Sequence, residues 1–455
     1  MHVYTCIVTA KTKYHPFRTN VKLALPLIAG QLGQVFVMLA DNIMVGQLGT
    51  VALAGISLGI AIFAFVFVIG MGLGFALPPL VAEAYGKRDI KSIKEPLFNS
   101  MLINIGYALV VILLFELFAP LMYHLGQEKD IVAVAMPYLR LSIYSMLPFM
   151  FFQVLRSLSD GKGSTSIAMK SLLVANMFNI LCNYILIFGK LGFPAMGVEG
   201  AALSSLLARC VMVLVWFVLI WESKEFMAQF SGWTLKLAST KMSSKIFRLG
   251  IATSFQMLFE VSIFSGSTLM MGRIGETALA AHQIALNIVS VSFMFTSGFS
   301  LAATIRVGQH FGNRDSVGVK EAGVAALSMS ALFMLFSAVL LFLLRYFLPS
   351  LYINEIEVIQ LAASMLLFAA VFQIPDGVQV SAIGALRGVQ DVKVPAILTF
   401  IAYILIGLPT GYFLAFVLEF SYAGIWLGLL TGLSLSALFN TIRFFRIQRH
   451  IFPVI

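Results

Sequence analysis

Twelve apolar segments, each long enough to cross a lipid bilayer, follow one another along this chain. A transmembrane helix needs about 20 consecutive apolar residues. Such segments occur at 21–45, 51–82, 94–123, 130–158, 163–189, 197–221, 245–272, 278–308, 317–347, 357–386, 392–418 and 421–445. Charged residues make up only 11% of the chain, whereas a soluble protein carries about a quarter. The alternating pattern of a β-barrel is absent. The sequence therefore predicts an all-α polytopic membrane protein with twelve transmembrane helices.

Lysine and arginine are concentrated on alternate connections between these segments. The basic connections and the C-terminus contain Lys87, Arg88, Lys91, Lys94, Lys224, Lys236, Lys241, Lys245, Arg314, Lys320, Arg387, Lys393, Arg443, Arg446 and Arg449. The opposite connections "GQLGT" and "LEFSYAG" contain neither residue type. Because basic loops remain in the cytoplasm, both termini are predicted to be cytoplasmic. The net charge of +10 then indicates a membrane surface rather than nucleic acid as the partner.

The sequence contains an internal repeat. "GQLGTVALAG" (46–55) aligns with "GRIGETALAA" (272–281), and in the same register "YGKRD" (85–89) aligns with "FGNRD" (311–315). Later the register shifts, and "LRSLSD" (155–160) is predicted to align with "LRGVQD" (386–391). Six helices per copy give both copies the same orientation. The sequence therefore predicts two six-helix bundles related by a pseudo-two-fold axis along the membrane normal, with substrate bound between them.

The longest polar connection divides the two copies. We predict a cytoplasmic N-terminal tail at 1–20, an N-lobe at 21–221 and an inter-lobe linker at 222–244, followed by a C-lobe at 245–446 and a C-terminal tail at 447–455. The three cysteines are far apart and odd in number, which suggests neither a disulfide framework nor a metal site. The sequence has no soluble catalytic motif. Without a phosphate-binding Walker loop, ATP-driven pumping by this chain is excluded, and no enzyme activity or cofactor is expected.

Three carboxylates lie inside apolar segments. Asp41 is in the first, Glu260 is in the seventh and Asp376 is in the tenth. A charge at bilayer depth costs roughly 2.5–3.5 kcal/mol on insertion scales, so such groups face a partner, an ion or water. Arg209 is the one basic residue in mid-span, and one arginine cannot neutralise three acids spread over two lobes. A proton, Na⁺ or an organic cation could each neutralise such a site, and this competition is what an antiporter needs.

Other polar and helix-bending residues could complete these sites. Asn176, Asn179 and Asn183 share one face of the fifth helix, which is predicted to face Asp41, although hydrogen bonding between helices is an equal alternative. Pro375 frees a backbone carbonyl that could bind Na⁺ or simply kinks the helix, and Pro26 is predicted to bend the first helix. The candidate cavity residues are Gln34, Gln256, Gln283 and His282, and Gln373 is a similar case.

Three motifs then carry a family resemblance. "GQLGQVFVMLADNIMVGQLGTVALAG" (30–55), "LAAHQIALNIVSVSFMFTSGFSLAATIRVGQHFGNRD" (279–315) and "FQIPDGVQVSAIGALRGVQDVKVP" (372–395) resemble those of the multidrug and toxic compound extrusion (MATE) transporters, NorM branch. The resemblance covers nearly the whole chain. It implies a V-shaped monomer in the bacterial inner membrane that exchanges lipophilic organic cations for Na⁺ or H⁺.

The resemblance also implies site residues. The C-lobe cation site would use Glu260 and Asp376, with Na⁺ as a candidate ion, and the N-lobe site would use Asp41, Asn179 and Asn183. Phe372 stands where relatives often have a tyrosine, which removes an oxygen near the cation. Some relatives have Asp where Asn183 stands. Two other functions remain open: a flippase for lipid-linked oligosaccharides, which would need a cationic central cavity, and a channel, which would not need a duplicated fold.

Overall fold

The computed structural model describes residues 16–124, 126 and 129–450. The predicted tails fall partly outside these ranges, namely from residue 1 to 15 and from 451 to 455. Within the described part of the chain, twelve helices are long and apolar enough to span a membrane. They are α1 (Pro16–Gly46), α2 (Thr50–Gly86), α3 (Lys91–His124), α4 (Lys129–Gly161), α5 (Thr165–Phe188), α6 (Gly197–Ile220), α7 (Thr240–Ile274), α8 (Glu276–Gly312), α9 (Ser316–Leu344), α10 (Ile356–Gly388), α11 (Lys393–Val417) and α12 (Ser421–His450).

The twelve predicted helices are confirmed, and their ends differ most from the predicted ones in α1, α7 and α12. α1 begins at Pro16 and α7 at Thr240, both before the predicted starts, and α12 continues to His450, beyond its predicted end. Residues 16–20 and 447–450, assigned to tails by composition, are therefore helical. Between the long helices lie short helical turns at Lys224–Met227, Leu235–Leu237 and Phe347–Ser350.

Four of the spans are not single regular helices. α2 consists of Thr50–Gly74 and Leu77–Gly86, and α4 consists of Lys129–Tyr144 and Met146–Gly161. The 3₁₀ turn Ile90–Ile93 leads into α3, which continues as Lys94–Phe118 and ends in a second 3₁₀ turn, Ala119–His124. α11 comprises Lys393–Phe400, Ile401–Gly407, Leu408–Tyr412 and Phe413–Val417, of which the second and fourth are π-helical.

The break in α2 is caused by a proline. Pro78 has no backbone N–H, so it cannot donate to the carbonyl of Gly74 on the preceding turn. The Ser157 hydroxyl of α4 donates to that carbonyl instead, at 3.2 Å. A hydrogen bond between helices thus replaces the one that proline removes within the helix.

The two lobes meet where α2 and α8 end. Gly86 lies against the backbone of Gln309, and Gly312 lies against the backbone of Glu83. The two glycines are equivalent positions in the repeat, as are their two contact residues, so the crossing has the predicted two-fold symmetry. Glycine is required at both positions because a Cβ would overlap the other helix. An apolar cluster closes the same end of the molecule, and it comprises Ala24, Leu27, Ile28, Phe75, Leu301, Ala302 and Ile305.

The second half of the repeat aligns differently from the prediction, and the pairing of "LRSLSD" with "LRGVQD" is wrong. Gly161 of α4 packs against Val81, and Gly388 of α10 packs in the same way against Val307. These equivalent contacts pair position 161 with position 388. The predicted and observed alignments differ by about one helical turn. A shift of one turn leaves each residue on nearly the same face of the helix. That is why the two motifs matched in sequence although they lie one turn apart in the fold.

The repeat also shows which residue stands opposite the Asp376 carboxylate. In the corrected alignment, Asp376 corresponds to Phe149 of the N-lobe. Phe149 is a buried aromatic residue. The fold therefore accepts an apolar side chain at this position, and the carboxylate of Asp376 is a choice made in one lobe.

The linker between the lobes is docked on the N-lobe. Lys162, just after α4, forms an ion pair with Glu225 of the linker at 2.8 Å, and its ammonium group lies 4.0 Å from the Phe226 ring centroid. Burial lowers the pKa of Lys162, and the bond to Glu225 opposes that shift. Trp216 of α6 makes edge contacts with the rings of Phe226 and Phe230. The linker is thus part of the N-lobe surface rather than a loose connection.

Asn99 of α3 holds the beginning of α7. Its amide nitrogen donates to the carbonyl of Leu237 at 2.8 Å and to that of Glu95 at 2.7 Å. Its amide oxygen accepts from the backbone N–H of Ser239 at 2.9 Å and from the Ser243 hydroxyl at 2.8 Å. Every hydrogen-bonding position of this buried side chain is therefore used, and the first turn of a C-lobe helix is fastened to the N-lobe.

We expect Asn99→Ala to lower the thermal stability of the detergent-solubilised protein and to make the linker cleavable by protease. The substitution removes up to four hydrogen bonds to part-buried groups, each worth about 0.5–1.5 kcal/mol. The measurement is limited proteolysis together with a thermal melt. Asn104→Ala is the matched control, because Asn104 of α3 is also buried but hydrogen-bonds only to Ser100 of its own helix. Equal protection of the linker in Asn99→Ala and the native protein would contradict this role.

Candidate functional site

Two carboxylates from different helices come together inside the C-lobe. Glu260 lies on α7, and Asp376 lies on α10 with 2% of its surface exposed. The two groups are close enough to repel each other electrostatically. Gln379, one turn after Asp376 on the same helix, donates to a Glu260 oxygen at 3.3 Å. The structure thus joins the two residues that the sequence proposed as a C-lobe site, and it adds Gln379.

Oxygen atoms outnumber hydrogen-bond donors in this cluster. The Oδ1 atom of Asp376 and the Oε1 atom of Gln379 are buried without a hydrogen-bond partner. Tyr403 of α11 is fully buried, its hydroxyl has no hydrogen-bond partner, and the two acids act on it electrostatically. A buried acceptor without a donor is costly. A cation that binds oxygen, or a proton, would relieve that cost.

Phe372 supplies no ligand to this cluster. Its ring is fully buried and stacks on Trp426 of α12, with ring centroids 5.7 Å apart. His282 of α8 packs edge-on against the same indole at 5.5 Å and approaches the Ser267 hydroxyl at 3.4 Å. His282 is also fully buried. Both residues therefore belong to the aromatic core of the C-lobe, and the phenolic hydroxyl beside the acids comes from Tyr403.

Pro375 lies away from the acids. It lines a groove on the outer surface between α10 and α12, together with Ile374 and Val378. The carbonyl that Pro375 frees is that of Val371, on the preceding turn. Val371 is 60% exposed. This placement favours the packing role of Pro375 over a role in cation binding. Pro26 lies inside α1, which remains a continuous helix.

The N-lobe site is formed by α1 and α5. Asn183 is fully buried, and its amide nitrogen donates to the Asp41 carboxylate. The same nitrogen lies 3.2 Å from the Oδ1 atom of Asn179. With the Asn179 amide turned over, its nitrogen would donate to Asp41 at 3.1 Å and its oxygen would accept from the Ser205 N–H at 3.3 Å. Asp41, Asn179 and Asn183 thus form one cluster, as the sequence predicted.

Close packing of two parallel helices produces this cluster. α1 and α5 are both odd-numbered, so they run in the same direction. An added methyl group at Gly33 of α1 would lie 2.9 Å from the Asn176 side chain of α5. Two turns further along both helices, Asp41 meets Asn183. Asn176 therefore shares the predicted face but packs against the Gly33 backbone rather than against the carboxylate.

Arg209 is held inside the N-lobe by a polar and aromatic cage. Its guanidinium donates to the Ser145 hydroxyl at 2.5 Å. The rings of Phe63, Phe67 and Phe149 lie 5.3, 5.6 and 5.1 Å from its central carbon. Arg209 attracts Asp41 electrostatically but forms no ion pair with it within 4.0 Å in the described residues. These contacts suit a structural tether rather than a substrate ligand.

The four candidate cavity residues have different surroundings. Gln34 and Gln283 are exposed, whereas Gln256 and His282 are buried. Gln256 lies one turn before Glu260 on α7, and its amide oxygen has no hydrogen-bond partner. In this conformation, Gln34 and Gln283 can be reached from outside the protein, whereas Gln256 and His282 lie within the C-lobe.

Two residues near the acids were not singled out by the sequence. Gln379 could have been found, because it follows Asp376 by about one turn and therefore lies on an adjoining face of the same helix. Tyr403 could not, because the rotation of α11 depends on its packing. Within the described part of the chain, no three His, Cys, Asp or Glu side chains are grouped as metal ligands. The cluster instead offers carboxylate, amide and phenolic oxygens, which suit Na⁺ or a proton.

Comparison with known proteins identifies the family. The MatE family profile matches residues 26–185 and again residues 252–413. The two matches begin at positions that the repeat makes equivalent, 26 and 252. The chain belongs to the MatE family.

Relatives within the MatE family indicate the branch. The chain is 34% identical over 436 residues to the "Probable multidrug resistance protein NorM" of Agrobacterium fabrum, covering 94% of this chain and 93% of the relative. It is 33% identical over 433 residues to the protein of the same name from Bacillus cereus, covering 94% and 95%. This MatE protein is therefore of the NorM type, and it is a multi-pass membrane transporter rather than an enzyme.

Solved structures share its fold. "Crystal structure of MATE in the bent conformation" superposes with a TM-score of 0.87 at 21% identity, covering 96% of both chains. "Outward-facing conformation of a multidrug resistance MATE family transporter of the MOP superfamily" gives a TM-score of 0.87 at 20% identity, covering 97% of this chain and 99% of the other. These matches establish for the MatE chain the fold of two six-helix bundles.

Proposed function

We propose that this protein is a secondary active efflux transporter that exchanges lipophilic organic cations for Na⁺, or alternatively for H⁺, by alternating access. The observation that carries the proposal is the C-lobe cluster. Glu260 and Asp376 lie in the same cluster, where the Gln379 amide is the one hydrogen-bond donor to them. Among the described residues, no basic side chain lies within 4.0 Å of either acid. Such a site keeps its charge only when a cation is available. The names of the NorM relatives, which describe multidrug resistance, agree with organic cations as substrates.

The closed end of the molecule indicates to which side of the membrane the transporter is open. The contacts between Gly86, Gln309, Gly312 and Glu83 lie at the end with the basic loops. With those loops in the cytoplasm of a bacterial cell, as the distribution of charge predicts, the cytoplasmic side is sealed. The described conformation is then outward-facing. A coupling cation would enter the C-lobe from outside, and the drug would leave on the same side.

Na⁺ is the favoured coupling ion. Hard monovalent and divalent cations prefer oxygen ligands, and Glu260, Asp376, Gln379 and Tyr403 bring carboxylate, amide and phenolic oxygens to one place. Phe372 does not weaken this set, because its ring faces Trp426. A proton could also occupy the pair of acids.

The flippase alternative finds less support. It would need free positive charge in the central cavity to bind pyrophosphate. Arg209 is enclosed by three phenylalanine rings inside the N-lobe. Arg306 donates to Gln309 and contacts His310 of its own helix. Both guanidinium groups are therefore engaged within a lobe.

Measuring ethidium efflux from proteoliposomes would identify the coupling ion. We expect an imposed inward Na⁺ gradient to accelerate efflux when the proton gradient is collapsed. K⁺ in place of Na⁺ is the matched control, because it keeps the ionic strength constant. Acceleration by a proton gradient alone would reject Na⁺ coupling in favour of H⁺, and no acceleration by either gradient would reject secondary active efflux of ethidium.

A further inference from the structure

Arg387 is a buried, positively charged residue outside the C-lobe cluster of Glu260 and Asp376. Composition placed it on a basic loop, but it lies in the last turn of α10 with 8% of its surface exposed. Its Nε atom is buried without a hydrogen-bond partner. Within the described residues, its side chain forms no ion pair within 4.0 Å. A buried guanidinium without a bonded counter-ion is expensive, so its position requires an explanation.

Two groups face Arg387 from different lobes. Its guanidinium carbon lies 5.2 Å from the ring centroid of Phe75, at the break in α2 of the N-lobe. On the C-lobe side, Arg387 lies about two turns after Gln379, the α10 residue that donates to Glu260 at 3.3 Å, and its charge attracts that carboxylate. Arg387 is therefore positioned between the seal that joins the lobes and the candidate cation site.

Several charged groups at this end already have partners. Glu83 of α2 bonds to Lys87 and Gln390. Arg306 of α8 donates to Gln309 at 3.1 Å. The linkage between Arg443 of α12 and Asp391 is an ion pair of 2.8 Å. Glu260 is the acid whose charge acts on Arg387.

We propose that Arg387 is the internal counter-ion of Glu260, and that it sets how tightly the C-lobe holds its coupling cation. This inference rests on the proposed function. A guanidinium near Glu260 lowers the attraction of that carboxylate for any second cation, because like charges repel at a distance in a low-dielectric interior. Arg387 thereby acts as a positioning residue that competes with the transported ion without touching it.

Phe75 makes this competition depend on the conformation. While the lobes are sealed at this end, the ring attracts Arg387 by a cation–π interaction worth about 0.5–2 kcal/mol. Glu260 is then more available to an entering cation. When the lobes part, Phe75 moves with the N-lobe, and Arg387 is left with Glu260 as its balancing charge. The cation would then be released on the side where the seal has opened, which is the direction that antiport requires.

Two variants test the role of Arg387, because they are expected to shift the half-maximal cation concentration in opposite directions. The measurement is the concentration of the coupling cation, Na⁺ or H⁺, that gives half-maximal ethidium efflux from proteoliposomes. Arg387→Gln is expected to lower that concentration about tenfold. Phe75→Leu is expected to raise it about threefold, since Arg387 then balances Glu260 in the sealed state as well. Arg443→Gln, which removes a positive charge from the same end of the C-lobe, is expected to leave it unchanged.

The outcomes separate this inference from the proposed function. If Glu260→Gln abolishes coupling while Arg387→Gln and Phe75→Leu keep the native half-maximal concentration, the role of Arg387 is overturned and the cation site stands. Native coupling in Glu260→Gln would overturn both. Should Arg387→Gln misfold, restored folding in Glu260→Gln/Arg387→Gln would support compensating charges. Misfolding of that double variant as well would show that Arg387 is only structural.

Discussion

Glu260→Gln and Asp376→Asn are each expected to reduce ethidium efflux to the level of protein-free liposomes while leaving the protein folded and inserted. Both substitutions keep the shape of the side chain and remove the charge that a coupling cation would bind. Asp376→Asn should fold, because a buried carboxylate without a base is costly and its neutral amide is cheaper to bury. Glu260→Gln should also fold, but it should melt at a lower temperature, because it removes the charge that balances Arg387. The measurement is efflux at matched protein level, with a thermal melt of each variant.

Glu357→Gln is the matched control for these two variants. Glu357 lies on α10, as Asp376 does, but it is exposed in the first turn of the helix. Efflux by this variant should equal that of the native protein. Native efflux by either Glu260→Gln or Asp376→Asn would remove the C-lobe cation site from the mechanism, whatever the stability of the variant.

Asp41→Asn is expected to bind drug but to stop turnover. In the structure, Asp41 accepts a hydrogen bond from the buried Asn183 amide. An amide at position 41 permanently imitates the neutralised carboxylate, and both its oxygen and its nitrogen can pair with neighbouring amides. Drug release and reloading require the charge to return, so efflux should fall to background. The measurement is equilibrium ethidium binding and ethidium efflux with the same preparation.

Asn176→Ser is the control for Asp41. Asn176 lies on the same face of α5 as Asn183, but it packs against Gly33, and its amide nitrogen has no hydrogen-bond partner. Both binding and efflux should stay near native levels. Normal efflux by Asp41→Asn would show that Asp41 is an interfacial or hydrogen-bonding residue only, and the N-lobe site would have to be dropped.

Much of the architecture could be predicted from the sequence, because a bilayer leaves few choices. In a solvent without water, the backbone must satisfy its own hydrogen bonds, so an apolar run of sufficient length can only be a helix. Twelve such runs, together with the repeat that aligns "YGKRD" with "FGNRD", were enough to predict two six-helix bundles. The pairing of Asp41 with Asn179 and Asn183 was also predictable, since helical spacing places both amides on one face of α5.

The resemblance, rather than periodicity, is what joined Glu260 to Asp376 before the structure was known. Both were recognisable as costly charges in apolar segments. Their wide separation along the chain says nothing about their distance in space. The structure brings them together because α7 and α10 face the same interior of the C-lobe, and it adds Gln379 as the donor between them.

Three features were decided only by the tertiary structure. A match in sequence cannot distinguish repeats that differ by one helical turn, so the alignment of the second half became clear only from the contacts of Gly161 and Gly388. Tyr403 faces the interior that holds the acids because of the rotation of α11, which packing determines. Arg387 was counted as a loop residue by its position near the end of a span. The sequence determines which residues are costly in a membrane, but only the packing of helices from two lobes decides which of them meet.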